Sequence, residues 1–314
     1  MVYFSILRDT RLGNWLFQYA TALSLSDNIA AYVEPVRTVR KGGQPFGDLD
    51  ELLAKYKELF EDRIPICHEL PADVVKIEER EPGYVPMPKI EEGRDYWLRG
   101  YFQSEKYFDE QKVRERFAIS SKRREYLENK YGEWLSRPNV TGISVKRTNY
   151  LKVPHHYPFV NLRYYRDCLA QLPDCNDFIV CSDDIPWCER NFQKAFPDKR
   201  FLFIKNESVL DQLYIHALCK NNIIPNSTFS WWGAWLNDNP NKKVFMPTQW
   251  FGFGYHWDGW TEKDIYFKNA IKVENHYTAW PIIKGTWLYS WNWFKVTFYP
   301  IKRFITVNIL GGTH

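Results

Sequence analysis

The chain opens with a short apolar run over residues 2–7, and after a brief loop apolar side chains return at helical spacing. These later positions recur every three or four residues, as on one face of a helix. They are Trp15, Leu16, Tyr19, Ala22 and Leu23. The pattern predicts a strand, a loop and a helix at the start of the chain.

The rest of the first half is less regular. Residues 49–60 are amphipathic and rich in charge, and residues 82–88 are rich in proline and are flanked by acidic side chains such as Glu81 and Glu91. Residues 96–102 form an aromatic run typical of a strand. We therefore expect a surface connection that leads into a further strand.

From Val140 onwards, short apolar runs alternate with helical patterns. Strands are predicted at residues 142–145, 178–181, 201–204, 222–225 and 244–246, and helices at 162–172, 186–196, 209–219 and 231–236. Strands that alternate with helices are typical of a parallel, doubly wound sheet. The strands are continuously apolar, as expected when both faces of a sheet are covered. The second half is therefore predicted to be α/β.

Composition narrows the class of protein. The chain has 314 residues, enough for two domains at about 100 to 200 residues each. Its 42 basic and 38 acidic side chains leave a net charge of only +4, without the basic stripe that nucleic-acid binding requires. Aromatic residues make up 18% of the chain, and aromatic faces stack on sugar rings as well as filling cores.

The cysteines and the first residues indicate the compartment. No C-x-x-C pair is present, so buried thiols are expected rather than a zinc site or a redox dithiol. The first apolar run is too short for a secretory signal, and no stretch approaches the roughly 20 apolar residues of a membrane span. These features predict a cytoplasmic protein. The cysteines are Cys67, Cys168, Cys175, Cys181, Cys188 and Cys219.

Polar side chains follow three of the predicted strands. In an open parallel sheet, ligands bind outside the carboxyl ends of the strands, so these groups are expected at one edge. The three groups are Lys146, Arg147, Thr148 and Asn149; Ser182, Asp183 and Asp184; and Asn226, Ser227 and Thr228.

The chemistry of these groups is that of a nucleotide pocket. Lys146 and Arg147 can pair with an anion. Residues 226–230 bring hydroxyls and backbone N–H groups to the start of a helix, where the dipole favours phosphate. Asp183 or Asp184 could accept hydrogen bonds from a purine or a ribose. Together they predict a pyrophosphate and nucleoside site.

Simpler roles compete with this interpretation. Asp184 stands before Ile185 and Pro186, where a helix cap is expected, and Ser227 or Thr228 could cap the helix at 231–236. Arg147 taken alone would suit a surface charge. The convergence of the three groups on one edge favours the pocket.

Gly13 and Asn14, at the start of the first helix, also allow two interpretations. One is a left-handed turn, and the other is a backbone that approaches a ligand closely.

Five blocks, in order, resemble the α-1,2-fucosyltransferases of glycosyltransferase family 11. They are LGNWLFQYA at 12–20, GYFQSEKYF at 100–108, CSDD at 181–184 with Trp187, NSTFSWWGAWL at 226–236, and Pro247 with Trp250 and Phe251. The resemblance covers residues 1 to about 275. It implies a GT-B-type fold, with two Rossmann-like α/β domains that face a cleft. We expect an acceptor-side domain at 1–137, a GDP-fucose domain at 138–275, and an aromatic, basic tail at 276–314.

The resemblance implies a reaction: L-fucose passes from GDP-β-L-fucose to the 2-hydroxyl of a terminal galactoside, with inversion. It implies no metal and no cofactor besides the donor substrate. The acceptor would be a galactose-terminated oligosaccharide or glycolipid. Arg147 and Lys146 would act on the GDP phosphates as catalytic cations. The expected donor-binding residues are Gly13, Asn14, Arg147, Asp183, Asp184, Asn226, Ser227, Thr228, Phe229 and Ser230.

One motif departs from the family. Where members usually carry H-x-R-R-G-D-Y, this chain has SVKRTNY at 144–150, which keeps the second arginine and the tyrosine. Lys146 keeps a charge but loses the bidentate fork of arginine. Ser144, Thr148 and Asn149 replace the other motif residues. The general base stays open among His155, His156, Asp9 and Glu105.

Other classes remain to be weighed. They are a non-catalytic carbohydrate-binding protein, a glycoside hydrolase that uses Asp183 and Asp184, and a related transferase with a different donor or acceptor. The tail, which has no acidic residue after Asn275, suits either peripheral membrane contact or an extended segment that packs back on the protein.

Overall fold

The structure is a computed structural model that describes residues 1–6, 11–34, 53–54, 56–60, 62–79, 83–257 and 259–276, with Ile283 and Trp287. The predicted strand, loop and helix at the start correspond to β1 and α1 (Leu12–Leu25). The first sheet is parallel in the order β3-β2-β1-β5-β4. Its strands are β1 (Val2–Ile6), β2 (Ile29–Val33), β3 (Ile66–Cys67), β4 (Val75–Glu78) and β5 (Tyr96–Arg99).

The predicted strand at residues 96–102 is shorter than expected. β5 ends at Arg99, and Phe102 adopts a positive φ of 53°. The Glu79 carboxylate accepts the N–H groups of Tyr101 and Phe102, so these amides turn away from the sheet. A 3-10 helix (Glu105–Tyr107) follows, and then α2 (Glu110–Arg116) and α3 (Ser121–Leu135).

The second sheet is also parallel, in the order β11-β10-β9-β6-β7-β8. Its strands are β6 (Thr141–Val145), β7 (Asp177–Ser182), β8 (Arg200–Phe203), β9 (Asn221–Ile223), β10 (Val244–Pro247) and β11 (Ile271–Val273). The helices of this half are α4 (Leu162–Ala170), α5 (Ile185–Ala195), α6 (Val209–Leu218), α7 (Thr228–Leu236) and α8 (Phe253–Trp257). The predicted α/β class is confirmed, in the GT-B-type arrangement that the resemblance implies.

The second sheet reverses direction beside its first strand, β6. In the second sheet the chain runs outward from β6 to β8, returns to β9 beside β6, and runs outward to β11. Such a reversal opens a crevice at the carboxyl ends of β6 and β9, where ligands bind in open α/β sheets. In the first sheet the chain runs from β1 outward to β3, and then from the opposite edge strand β4 inward to β5 beside β1.

Helices α1 and α7 pack against each other and share one hydrophobic core. The Phe17 ring lies 4.6 Å from the Trp231 ring and 4.9 Å from the Trp232 ring. The Trp232 indole N–H donates to the Gly13 carbonyl at 3.0 Å. This contact joins the start of α1 to α7.

The structure also bears on the expectations for the cysteines, the proline-rich stretch and the tail. Five cysteines are buried free thiols, as predicted, whereas the free thiol of Cys67 is half-buried. Tyr84 and Val85 of the proline-rich stretch are exposed, as a surface connection requires. Most of the tail lies outside the described residues. The described positions are His276, Ile283 and Trp287, whose side chain is 63% exposed. Among the described helices, none is long and apolar enough to cross a membrane.

Candidate functional site

The crevice beside β6 brings two predicted groups together. Lys146 and Arg147 directly follow β6, and residues 224–227 connect β9 to the start of α7. Because β6 and β9 are neighbours, their carboxyl ends deliver these groups to one edge. The phenol of Tyr150 bridges them by donating to the Asn226 carbonyl at 2.8 Å. The structure therefore brings the groups that follow β6 and β9 to one edge of the sheet, as the sequence predicted.

Asp183 holds the loop after β6 in place. Its carboxylate accepts from the Lys146 ammonium at 2.7 Å, from the Arg147 backbone N–H at 2.9 Å, and from the Thr148 hydroxyl. Burial alone would raise the pKa of Asp183, but the bonds from Lys146 and Thr148 hold it below its ordinary value. Asp183 is therefore ionised and orients this cationic loop.

Arg147 is fixed between an aromatic ring and a carboxylate. Its guanidinium lies 3.6 Å from the centre of the Trp187 ring, and its Nε donates to Asp184 at 3.3 Å. The other carboxylate oxygen of Asp184 accepts the Trp187 N–H at 3.2 Å and caps α5. The capping role considered for Asp184 is confirmed, and the same side chain also binds Arg147. The sequence did not reveal the stacking role of Trp187, although this residue lay in a family block.

Helix α7 begins at Thr228, three residues earlier than predicted. Ser227 occupies the N-cap position, but within the described part of the chain its side chain makes no capping bond, and Thr228 lies inside the helix. The capping role considered for these two residues is therefore wrong. The first-turn N–H groups keep their capacity to bind an anion, which the helix dipole also favours.

Buried polar groups support the start of α7. The hydroxyls of Ser144 and Ser230 lie 2.6 Å apart, and the Asn226 amide donates to the Trp250 carbonyl at 2.9 Å. The Ser144 carbonyl accepts from the Tyr165 phenol at 3.0 Å. Ser144, which replaces the family histidine, thus ties β6 to α7. Phe229 is half-buried against the common core.

Gly13 and Asn14 lie inside α1, so the left-handed turn considered for them is wrong. A Cβ on Gly13 would lie 2.5 Å from the Phe229 nitrogen and 2.6 Å from the Thr228 carbonyl carbon. Glycine is therefore needed where α1 meets the start of α7. The structure shows a close approach of this backbone to a helix of the same chain, and its approach to a ligand stays a prediction. The side-chain oxygen Oδ1 of Asn14 accepts from the side-chain amide of Gln103 at 3.0 Å.

The residues considered as general base lie in different surroundings. Burial, with the neighbouring His156, lowers the pKa of His155 to about 4, so its ring is neutral at pH 7. Glu105 accepts the Lys268 backbone N–H at 3.0 Å. Asp9 lies outside the described residues. Among the contacts described above, none brings His155, His156 or Glu105 to the cations after β6.

A second cleft lies at the carboxyl ends of β4 and β5 and was not predicted. Its walls come from both halves of the chain and carry two carboxylates, an amide and aromatic rings. They include Glu79, Gln103, Tyr107, Phe251, Trp260 and Asp264. Gln103 belonged to a family block, but no pattern in the sequence pointed to Glu79, which follows a four-residue strand.

No group of three or more metal-ligating side chains occurs among the residues that the structure describes. The cationic groups after β6 and the start of α7 are the features of this site that suit an anionic ligand.

Similar proteins were found among sequences and solved structures. The O-antigen biosynthesis glycosyltransferase WbnK of Escherichia coli is 35% identical over 123 residues, 36% of this chain and 39% of that protein. An alpha-1,2-colitosyltransferase of Escherichia coli is 29% identical over 161 residues, 48% of this chain and 55% of that protein. The matches thus span about half the length of these relatives or less.

A crystal structure of the NodZ alpha-1,6-fucosyltransferase of Bradyrhizobium, soaked with GDP-fucose, is similar with a TM-score of 0.46 and 16% identity. The similarity covers 74% of this chain and 92% of that one. The family model described as Glycosyl transferase family 11 matches residues 2–269. Since that match takes in most of the sequence, including every strand of both sheets except β11, the chain belongs to glycosyltransferase family 11.

Proposed function

We propose that the chain transfers L-fucose from GDP-β-L-fucose to the 2-hydroxyl of a terminal galactoside, with inversion at the sugar. The observation that carries the proposal is the pairing of Lys146 and Arg147 with the uncapped start of α7 across the β6–β9 crevice. A diphosphate in this crevice would meet two cations and a row of backbone N–H donors.

The chemistry of the site fits departure of GDP. The bond between the sugar and the diphosphate breaks with negative charge developing on the phosphate oxygens. Preorganised cations stabilise that charge best when they do not have to reorient, and Asp183, Asp184 and Trp187 hold Lys146 and Arg147 in place. The chief role of Asp183 and Asp184 in this proposal is to position the two cations, in addition to the nucleoside contacts expected from the sequence.

Family membership supports the acceptor and the donor sugar. The α-1,2 linkage to galactose follows from the resemblance of the five sequence blocks, and one relative is named an alpha-1,2-transferase. That relative is named for colitose, so transfer of colitose is the second candidate function. A screen of nucleotide sugars, read by nucleotide release, separates the two.

We retain the division into an acceptor-side domain at 1–137, a donor domain at 138–275 and a tail at 276–314. The strands of each sheet fall within one of the first two ranges, which supports it. A cytoplasmic location and membrane contact through the tail stay predictions. They are tested by liposome binding before and after truncation following Tyr277.

Replacing Arg147 tests the phosphate assignment. We expect Arg147→Ala to lower turnover with GDP-fucose by about 100-fold or more, and to weaken GDP binding, because a donor aimed at developing charge is lost. The readouts are GDP release and calorimetric titration of GDP.

The matched control is Arg94→Ala, which removes an exposed arginine whose ionic partner is Glu91. It should leave both quantities unchanged. Normal turnover and GDP affinity in Arg147→Ala would contradict the assignment.

A further inference from the structure

The second cleft lies at the carboxyl edge of the first sheet. Glu79 directly follows β4, and residues 100–103 directly follow β5, the strand beside β1. Because ligands bind outside the carboxyl ends of strands in open parallel sheets, this edge is suited to a ligand. Phe251 and Trp260 of the other half close the cleft from the opposite side.

Glu79 is the carboxylate of this cleft that has no ion pair among the described residues. Its Oε2 accepts the Tyr101 N–H at 2.7 Å and the Phe102 N–H at 3.1 Å, while Oε1 receives only a 3.2 Å branch from Phe102. Burial raises the pKa of Glu79 in spite of these bonds. Oε1 can therefore accept a further hydrogen bond. The raised pKa also means that this carboxylate takes up a proton more readily than an exposed one.

Asp264, the other carboxylate of the cleft, is already engaged. It pairs with the Lys106 ammonium at 2.6 Å and accepts the Tyr84 N–H at 2.8 Å. Burial acts to raise the pKa of Asp264, but these two contacts hold it below its ordinary value. Asp264 is thus a poor proton acceptor, and the difference between the two carboxylates singles out Glu79.

The remaining walls suit a sugar ring. Trp260 packs on Phe251 and Tyr101, with ring centres 5.5 Å and 6.1 Å apart, and forms an apolar surface. The Oε1 of Gln103 is buried and has no hydrogen-bond partner among the described residues. A buried acceptor without a partner is costly and fits a hydroxyl donor from a ligand. An aromatic face beside a carboxylate and an amide is the chemistry that recognises a pyranose.

Two contacts connect this cleft with the donor crevice. Gln103, on the cleft wall, donates to Asn14 on α1. Gly13, the neighbour of Asn14, packs directly on Thr228 and Phe229 at the start of α7. These contacts link the wall of the cleft, through Asn14 and Gly13, to the helix start beside the β6–β9 crevice.

We infer that this cleft binds the acceptor sugar and that Glu79 is the general base that removes the proton from its attacking hydroxyl. The inference rests on the proposed function. In the step, the acceptor oxygen forms a bond to the anomeric carbon of fucose. The bond from that carbon to the diphosphate oxygen breaks, and its electron pair leaves with GDP. The acceptor proton passes to the Glu79 carboxylate.

Glu79→Gln is the first test, because the amide oxygen can still accept the Tyr101 N–H but cannot take up the proton. We expect kcat to fall by about 100-fold or more, while GDP affinity stays unchanged. The rise of kcat/KM with pH that reports the base should disappear. In Glu79→Ala, added formate should restore part of the turnover, which it would not do if the residue were only structural.

Variants of three other residues separate the role of Glu79 as a base from the roles of other side chains. Glu78→Gln alters an adjacent side chain that pairs with Arg99 at 2.8 Å, and it should keep kcat within about 2-fold. Trp260→Ala should raise KM for the galactoside about tenfold at unchanged GDP affinity. Asp9→Asn should leave the pH profile intact.

The outcomes distinguish the inference from the proposed function. If wild-type protein transfers fucose, but Glu79→Gln keeps its turnover and pH profile, the inference is wrong and the function stands. The inference is equally overturned if the pH dependence is lost in Asp9→Asn instead. If wild-type protein releases no GDP from GDP-fucose with any galactoside, the proposed function fails and the inference fails with it.

Discussion

Asp183 and Asp184 follow the same strand and hold Lys146 and Arg147 by different contacts. Asp183 binds the Lys146 side chain and the backbone of Arg147, whereas Asp184 caps α5 and binds the Arg147 side chain. The sequence placed these four residues at one edge. It could not reveal which carboxylate binds which cation, because that choice depends on side-chain rotamers and on the Trp187 ring.

At the same scale, His216 predicts how stability depends on pH. Its ring is wholly buried in α6, and burial lowers its pKa to about 4, against 6.5 for an exposed histidine. Between these values the unfolded chain binds a proton that the folded chain does not, so stability falls as the pH drops from 6.5 towards 4. His155 contributes in the same direction.

We expect His216→Leu to remove one of these two contributions. The loss of unfolding free energy between pH 7.5 and pH 5 should then be about 2 kcal/mol smaller than in wild type. Urea denaturation at the two pH values measures it. The exposed His68→Leu should behave as wild type. An equal loss in His216→Leu and wild type would show that the buried ring does not titrate as described.

At the scale of elements, the contact between α1 and α7 fixes the start of α7 beside the donor crevice. Gly13→Ala places a Cβ 2.5 Å from the Phe229 nitrogen, and backbone cannot yield as a flexible side chain can. We expect this variant to lose about 1–3 kcal/mol of stability and to bind GDP more weakly.

Gly132→Ala is the matched control, since its Cβ would meet nothing within 4 Å near the C-terminal end of α3. There alanine should stabilise the helix by up to about 1 kcal/mol. Denaturation midpoints and GDP titrations of both variants provide the comparison. Equal stability of the two variants would argue against a tight α1–α7 contact.

The two sheets were unequally predictable from the sequence. The strands of the second sheet are mostly continuous buried runs between amphipathic helices, and five of its six strands were predicted. In the first sheet, β2, β3 and β4 were not. β3 has two residues, which are defined only by pairing with Ala31 and Tyr32. β4 is a half-buried VKIE segment whose position depends on β5.

At the scale of the whole molecule, the chain forms two parallel sheets and joins them through the packing of α1 on α7. The donor crevice and the second cleft are thus connected by Gly13, Asn14 and Gln103. The family blocks predicted the donor side from the sequence. Glu79 and its cleft depend on contacts between residues more than 150 positions apart, such as Lys106 with Asp264, and needed the structure.

The central claim is that this chain moves fucose from GDP-fucose to the 2-hydroxyl of a galactoside. The most direct measurement is incubation of the purified protein with GDP-fucose and a β-galactoside, followed by NMR assignment of the product linkage. The account predicts GDP release matched by an equal amount of α-1,2-linked fucosyl galactoside. Fucose on another hydroxyl, or release of nucleotide only from a donor other than GDP-fucose, would contradict it.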